Sequence, residues 1–390
     1  MKNYLMNVYT NRDPNILRGK GVYLYDDQGH KWLDFHAGIG VNVVGHCHPI
    51  LTKTLINQAK KLWHCSNLHM IQGQKTLAQK LCHTGQFESA FFCNSGVEAL
   101  EGMIKCARRY YAMHGQPHRW RIITLKGAFH GRSLATLSAA KNPKHLEGFG
   151  PMVEGFDQVA FANMNDLRMA IGDETAAILL EPIQGEGGIC NVDIETMKAL
   201  RQCADEYDLL LLLDEVQCGN GRTGKYWAYQ WAEIKPDCLA TAKGLGGGFP
   251  IGAVLANEKI STSMHAGSHG STFGGNPLAM AVANDVLDIV NQSDFLNDVQ
   301  TKGLYLQHGL QQLVKKWSDI YYQARGLGLM QGLVCCSSSK VMDGLKSQFI
   351  LTVSAANNVL RLLPPLIIEK KHIDDLLKAL DHVAYQLSNE

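Results

Sequence analysis

Residues Leu209 to Ile251 read LLLLLDEVQCGNGRTGKYWAYQWAEIKPDCLATAKGLGGGFPI, and the run Leu209 to Leu213 decides the fold. An unbroken apolar run of this length, bounded by charge, reads as a strand buried on both faces, which is the habit of parallel sheets. It ends at Asp214 and Glu215. A second apolar run, Cys238 to Ala242, stops at Lys243 and is followed by Gly244, Gly246, Gly247 and Gly248. A carboxylate and an amine thus each follow an apolar run. In open parallel α/β sheets ligands sit beyond the carboxyl ends of the strands, so both positions suit reactive groups. A lysine there can act as an imine-forming nucleophile.

The same stretch contains two nucleotide-type patterns. Gly219, Gly221 and Gly224 spell GxGxxG, and Gly219 to Lys225 spell GxxxxGK. A Walker loop needs Ser or Thr after its lysine to hold magnesium, and Tyr226 stands there. A dinucleotide fingerprint opens a helix directly from a strand. Here Val216, Gln217 and Cys218 intervene, and Tyr226, Trp227, Tyr229 and Trp231 follow. Nucleotide binding through residues 219–225 is therefore the remote alternative, and a glycine-rich turn that reverses the chain is the expectation.

Outward from this stretch, 390 residues exceed the size at which a single core stops growing, so a large domain with a smaller one is expected. Net charge is +1 with Lys and Arg scattered, which argues against nucleic acid and membrane surfaces and for small-molecule partners. The eleven cysteines form no CxxC and sit in apolar segments, as in a reducing cytoplasm. The N-terminal MKNYLMNVYTNRDPN lacks a signal-peptide core, and no apolar run approaches membrane-spanning length.

Val22 to Phe35 reads as two short strands around Asp27-Gln28-Gly29, and Gly38 to Pro49 as a loop. His46, Cys47 and His48 lack zinc spacing, so no metal is expected. Ala90 to Cys93 is a strand candidate. Ser95 followed by Glu98 is a capping box, and Val97, Leu100, Met103, Ile104, Ala107 and Tyr111 keep helical spacing. A strand, a small-residue turn and a capped helix make an anion site, because free amides and the helix dipole converge there. Arg121 to Leu125 ends in Gly127 to Arg132, and Ala176 to Leu180 ends in Glu181 to Gly188, so βα units recur and a mostly parallel sheet follows. Beyond about residue 285, helices such as Leu304 to Trp317 and Ile373 to Leu387 surround strands near Gly332 to Cys336 and Val359 to Leu362.

Collected, the strand-end residues are an anion-binding turn at Ser95-Gly96, an aromatic at Phe129, an acid at Asp214 and an amine at Lys243. Pyridoxal 5'-phosphate calls for that set: amides for its phosphate, an aromatic face for its ring, a carboxylate for its ring nitrogen and a lysine for its aldehyde. By keeping the ring nitrogen protonated, Asp214 lets the ring absorb the electron pair left when a substrate carbon loses a proton.

The chain resembles the class III pyridoxal-phosphate aminotransferases. The resemblance runs from Leu5 to Pro49 through CNSGVEALEGMIKCARRY (93–110), GAFHGRSLATL (127–137), EPIQGEGGI (181–189), LLLDEVQCGNGRTGK (211–225), TAKGLGGGFPIGAVLA (241–256) and STFGGNPLA (271–279) to VLRLLPPL (359–366). It implies the type I fold, a large domain with a mostly parallel seven-stranded-type sheet flanked by helices, plus a smaller α+β domain. The expected bounds are 51–285 for the large cofactor-binding domain, 286–390 for the small one, and 1–50 for a segment that joins the small one.

By the same resemblance Lys243 carries the cofactor through an imine, Asp214 pairs the ring nitrogen, Gln217 bonds the ring oxygen and Phe129 stacks on the ring. Ser95 and Gly96 hold the phosphate, and Thr272 adds a phosphate contact from the neighbouring subunit of a homodimer. Arg132 and Arg361 bind substrate carboxylates, and Glu186 pairs with Arg361 or moves aside according to the substrate. The implied reaction moves the terminal amino group of N2-acetyl-L-ornithine to 2-oxoglutarate, as in arginine biosynthesis. Relatives using ornithine, succinylornithine, 4-aminobutyrate, putrescine or N-succinyl-diaminopimelate are the alternative. The chain departs from the common pattern at Leu100, where the family usually has Asn, and at Cys218-Gly219-Asn220.

Overall fold

Among the described residues of a computed structural model, which are 4–9 and 13–389, seven strands form the central sheet. They are β1 (Ser89–Cys93), β2 (Arg121–Leu125), β3 (Phe156–Val159), β4 (Thr175–Leu180), β5 (Leu210–Asp214), β6 (Cys238–Thr241) and β7 (Gly252–Ala256). Their order is β1-β7-β6-β5-β4-β2-β3. β7 runs antiparallel to both neighbours, and the remaining pairs are parallel. Met1–Asn3, Thr10–Arg12 and Glu390, which the expected units 1–50 and 286–390 include, lie outside the described residues.

The leucine run behaves as its composition requires. Leu211 and Leu213 pack into one apolar core with Ile178, Leu180, Leu239 and Leu255, while Leu210 and Leu212 pack into another with Ala177, Leu179, Cys238 and Val254. Alternate residues of a strand face opposite sides, so only a continuous apolar run fills both cores. The second core is closed by helix α1 (Gly96–Met113), whose Ala99, Leu100, Met103, Ile104, Ala107 and Tyr111 lie on one stripe.

Register brings the strand ends together. Asp214 pairs with Ala240, so Lys243 lies just past it, and Leu213 pairs with Leu180, which sets Glu181 beside Asp214. Alternation also separates the two carboxyls that end the run. Glu215 turns away, and its oxygens accept the Ala228 and Tyr229 amides at 2.6 and 2.8 Å. Burial pushes its carboxyl up to about 8 against those amides, so it serves the core. The expected turn after it holds: residues 216–227 form no helix, and Ala228–Trp231 is a single 3-10 turn.

The N-terminal lead-in differs from expectation by one strand. Tyr23–Asp26 and Lys31–Asp34 form the expected pair, but Ile16–Lys20 joins them, and Ile350–Leu351 adds in parallel to Lys31–Asp34. The expected loop at 38–49 includes a helical turn, Ala37–Gly40, with Gly38 and Ile39 left-handed. His46 Nε2 lies 2.6 Å from the buried Asp34 Oδ2, a packing role. Past Asn276 come helices Pro277–Val290, Ser293–Lys316 and Lys370–Ser388 around strands Tyr321–Leu327, Met330–Cys335, Val353–Ala355 and Val359–Leu362. Among the described residues no helix is long and apolar enough to cross a membrane.

β7 carries a steric constraint. A Cβ on Gly252 would overlap the Ser95 carbonyl oxygen and come within 2.8 Å of Cys93 Sγ, so the strand approaches the turn before α1 only as glycine. Gly252→Ala is expected to lose about 1–3 kcal/mol through overpacking, read from the urea unfolding midpoint. An unchanged midpoint would contradict this packing.

Candidate active site

A cavity of about 460 Å³ opens at the carboxyl ends of the parallel strands. Ser95, Gly96, Phe129, Arg132, Glu186, Asp214, Gln217 and Lys243 line it, joined by Asn94, Val97, Leu100, His130, Glu181 and Val216. Arg361 is buried behind this wall, at 1% exposure, and reaches the cavity through its contacts with Glu186 and Gln217. Thr272 is the expected site residue that is exposed and absent from the lining.

The turn at Ser95 departs from a full capping box. Ser95 Oγ accepts the Glu98 amide at 3.3 Å, but the Glu98 carboxylate turns back to the Asn94 amide and side chain, at 2.8 and 3.0 Å. The amides of Gly96 and Val97 take no partner among the described residues, as expected at the head of a helix. A Cβ on Gly96 would lie 2.8 Å from Val216 Cγ1, so the turn packs onto that side chain with its amides open. Such a turn attracts an anion.

Asp214 is 4% exposed and has a partner on each oxygen. Oδ1 accepts the Val216 amide at 3.0 Å, and Oδ2 accepts from His130 Nδ1 at 2.9 Å. His130 Nε2 is buried with no partner among the described residues. Next to them Glu181 Oε1 accepts the Phe129 amide at 2.8 Å and Oε2 the Gly185 amide at 3.2 Å. Burial and the Asp214 carboxylate push the Glu181 carboxyl upward, against His130 and those two amides. Neither His130 nor Glu181 was among the expected site residues. The signal for Glu181 was the one that singled out Asp214, a charge ending an apolar strand.

Across the cavity, Arg361 Nη1 meets Glu186 Oε1 at 2.6 Å and Gln217 Oε1 at 3.2 Å, while Nη2 reaches Ser354 O at 3.4 Å. Arg132 stands at the exposed mouth, 5.6 Å from the Phe129 ring centroid, with Nη2 3.1 Å from His145 Nε2. Burial and the Arg132 charge hold His145 low, which leaves it free to accept that bond. Burial, with the Arg361 guanidinium adding to it, holds Lys243 below the ordinary range of a lysine amine, while Glu186, Asp214 and Glu181 pull the other way. A lysine in that state is a nucleophile closer to neutral pH.

Open amides, an aromatic face at Phe129, a buried carboxylate and a depressed amine therefore surround one space. The donor set fits a phosphorylated pyridine aldehyde. Among the described residues no group of three His, Cys, Asp or Glu side chains could hold a metal.

Comparison with known proteins agrees with the geometry. A family model described as aminotransferase class-III matches residues 7–384. The acetylornithine aminotransferase of Mesorhizobium japonicum is 52% identical over 360 residues, covering 92% of this chain and 90% of that protein. The solved N-acetylornithine aminotransferase of Stenotrophomonas maltophilia K279a matches with TM-score 0.85 and 35% identity, over 97% of this chain and 98% of that one. An ornithine aminotransferase structure from Toxoplasma gondii, with partial occupancy of PLP at its active site, matches with TM-score 0.95 and 27% identity, over 99% of this chain and 93% of that one.

The cause of the Lys243 shift is testable without turnover. In Arg361→Gln one depressing charge is gone and Glu186 is left unpaired, so both changes favour the ammonium. The midpoint of the pH dependence of Lys243 acylation in cofactor-free protein, followed by peptide mass, is expected to rise. A midpoint that stays or falls contradicts the assigned cause.

Proposed function

This chain belongs to the class III aminotransferases, and from that premise we propose that it moves the terminal amino group of N2-acetyl-L-ornithine to 2-oxoglutarate, using pyridoxal 5'-phosphate. The observation that carries the reading is the 2.6 Å pair between Glu186 and the buried Arg361 in the wall of the Lys243 cavity. Two unlike amines must be presented at one point, and a guanidinium that can be covered or uncovered suits that task. Relatives named for acetylornithine support the donor.

When bound, the cofactor supplies an electron sink for the pair left at a deprotonated substrate carbon. Lys243 Nζ would bind the cofactor's aldehyde and move the proton at that carbon, and its depressed basicity suits both tasks. Asp214, oriented by His130 and Val216, would accept from the ring nitrogen. Phe129 would offer its face to the ring, and Gln217 would hold the ring oxygen. Ser95 and Gly96 hold the phosphate at the head of α1.

In this reading residues 51–285 form the cofactor-binding unit, and 1–50 with 286–390 form the smaller one. The parallel pairing of Ile350–Leu351 with Lys31–Asp34 supports that grouping. The working enzyme is a homodimer in which Thr272 reaches the partner's phosphate. Its loop is braced for that reach: Asn67 Nδ2 donates to Ser271 O and Gly274 O, each at 2.9 Å. Trp63, Leu68, Met70 and Phe273 around it are largely exposed, apolar surface that a second copy would cover.

Glutamate, presenting its α-amine, places its α-carboxylate at Arg361 and its distal carboxylate at Arg132. Acetylornithine presents a methylene where the α-carboxylate was, and Glu186 then neutralises Arg361, because an unpaired buried charge is costly. Two guanidinium forks at fixed separation also measure the length of a dicarboxylate.

Two expectations follow from these roles. Lys243→Ala keeps the cofactor and loses nearly all turnover; ordinary steady-state activity would rule out the assignment. Arg361→Ala loses about 2–5 kcal/mol in the glutamate half-reaction and spares acetylornithine, Arg132→Ala harms both, and Glu186→Ala weakens acetylornithine while sparing glutamate. Single-turnover measurement of each half-reaction decides it, and equal losses for both donors in Arg361→Ala would defeat the switch.

A further inference from the structure

β4 ends at Leu180, and the next residue carries a buried carboxyl that the proposed reaction leaves unused. Glu181 is 5% exposed. Its two oxygens serve two different turns. The Phe129 amide, at 2.8 Å, belongs to the turn that carries Phe129, His130 and Arg132, and the Gly185 amide, at 3.2 Å, to the turn that carries Glu186. Each bond pairs an amide with a carboxyl shielded from water, where hydrogen bonds are strongest.

The second turn is clamped from the other side as well. The Ala356 amide donates to Glu186 O at 3.0 Å. Gly185 packs so closely on Gln217 that a Cβ would overlap Gln217 Oε1, the atom that accepts from Arg361 Nη1 at 3.2 Å. That same nitrogen meets Glu186 Oε1. The backbone is therefore fixed on both sides of Glu186, at Gly185 N by Glu181 and at Glu186 O by Ala356. Exchange of Glu186 for a substrate carboxylate then becomes a side-chain rotation on a fixed mount, and its balance depends on how well that mount aims the carboxylate at Arg361.

We propose that Glu181 is a positioning residue for donor choice: it holds the Gly185 amide so that Glu186 covers Arg361 when no substrate α-carboxylate is present. The inference rests on the reading of Glu186 as the switch. A carboxyl is needed because it offers an acceptor to each amide. Glutamine offers one, and turns an NH2 group toward the other N–H.

The test uses protein reconstituted with pyridoxal 5'-phosphate and, as a probe that cannot turn over, glutarate. In Glu181→Gln the Glu186 cover weakens, so glutarate binding, measured by calorimetry, tightens by about fivefold, the effect of one net hydrogen bond. The ratio of glutamate to acetylornithine single-turnover efficiency rises with it. Glu186→Ala shifts both quantities the same way, and adding Glu181→Gln to Glu186→Ala changes neither further, because the two residues act through one contact. Glu181→Asp, which keeps the carboxyl but is too short to span both amides, shifts them in the same direction and secures the test if the glutamine variant fails to fold. Unchanged glutarate affinity and donor ratio in the Glu181 variants, or an effect that persists undiminished in the Glu186→Ala background, overturns the positioning role. If Glu186→Ala alone leaves glutarate affinity unchanged, the switch reading falls first and the inference falls with it.

Discussion

The site is built around a carboxylate kept out of water at the end of the central strand. An ionised group at 4% exposure is tolerable only when its oxygens are satisfied, and Asp214 meets that condition with one side-chain donor, His130, and one backbone donor, Val216. What remains of its accepting capacity faces the cavity, where a ring nitrogen bearing a proton would complete the set. The same dry surroundings that make Asp214 demanding also depress Lys243 and make the contacts of Arg361 strong. One physical circumstance, burial around the cavity, thus serves the acid, the amine and the switch together.

Close backbone approach is the second constraint. The phosphate-type turn before α1 lies against β7 at Gly252 and against Val216 at Gly96, and neither position admits a Cβ without displacement. The glycines let sheet, turn and acid strand converge within one cavity, and Leu100 with Val97 gives its wall an apolar side. The apolar side leaves directional bonding to the open amides and to Ser95.

Much of this was legible in the sequence because the governing signals are local. The unbroken leucine run reads as a strand buried on both faces, and a charge closing such a run falls near the carboxyl end of the sheet, which singled out Asp214 and Lys243. The helix after Ser95 was legible from its cap and its stripe. What escaped depended on partners distant in the chain. Tyr321–Leu327 is buried only at Tyr321 and half-buried over Ala324–Leu327, so no alternation of apolar and polar residues marks it as a strand. β7 follows a glycine run and has no alternation, since both its faces are buried. The capping box was half right, because Glu98 bonds Asn94 and leaves the first amides of α1 open. Glu181 ended an apolar strand just as Asp214 did, yet its meaning lies in Phe129 and Gly185, and only the folded chain shows that it holds both. Glu215, adjacent to Asp214, carried the same sequence signal and is a core residue, which shows that strand alternation decides between two carboxyls that charge alone cannot rank.

The central claim is that Asp214 is the electronic partner of the cofactor ring. Asp214→Asn preserves the volume and the bond from Val216 but cannot hold a ring nitrogen protonated. Turnover of the purified variant should be measured beside its cofactor content and its unfolding midpoint. The account predicts a folded protein that retains the cofactor and loses turnover by about two orders of magnitude or more, since breaking a buried charge pair costs about 3–5 kcal/mol. A loss of less than about tenfold with the cofactor still bound would contradict it.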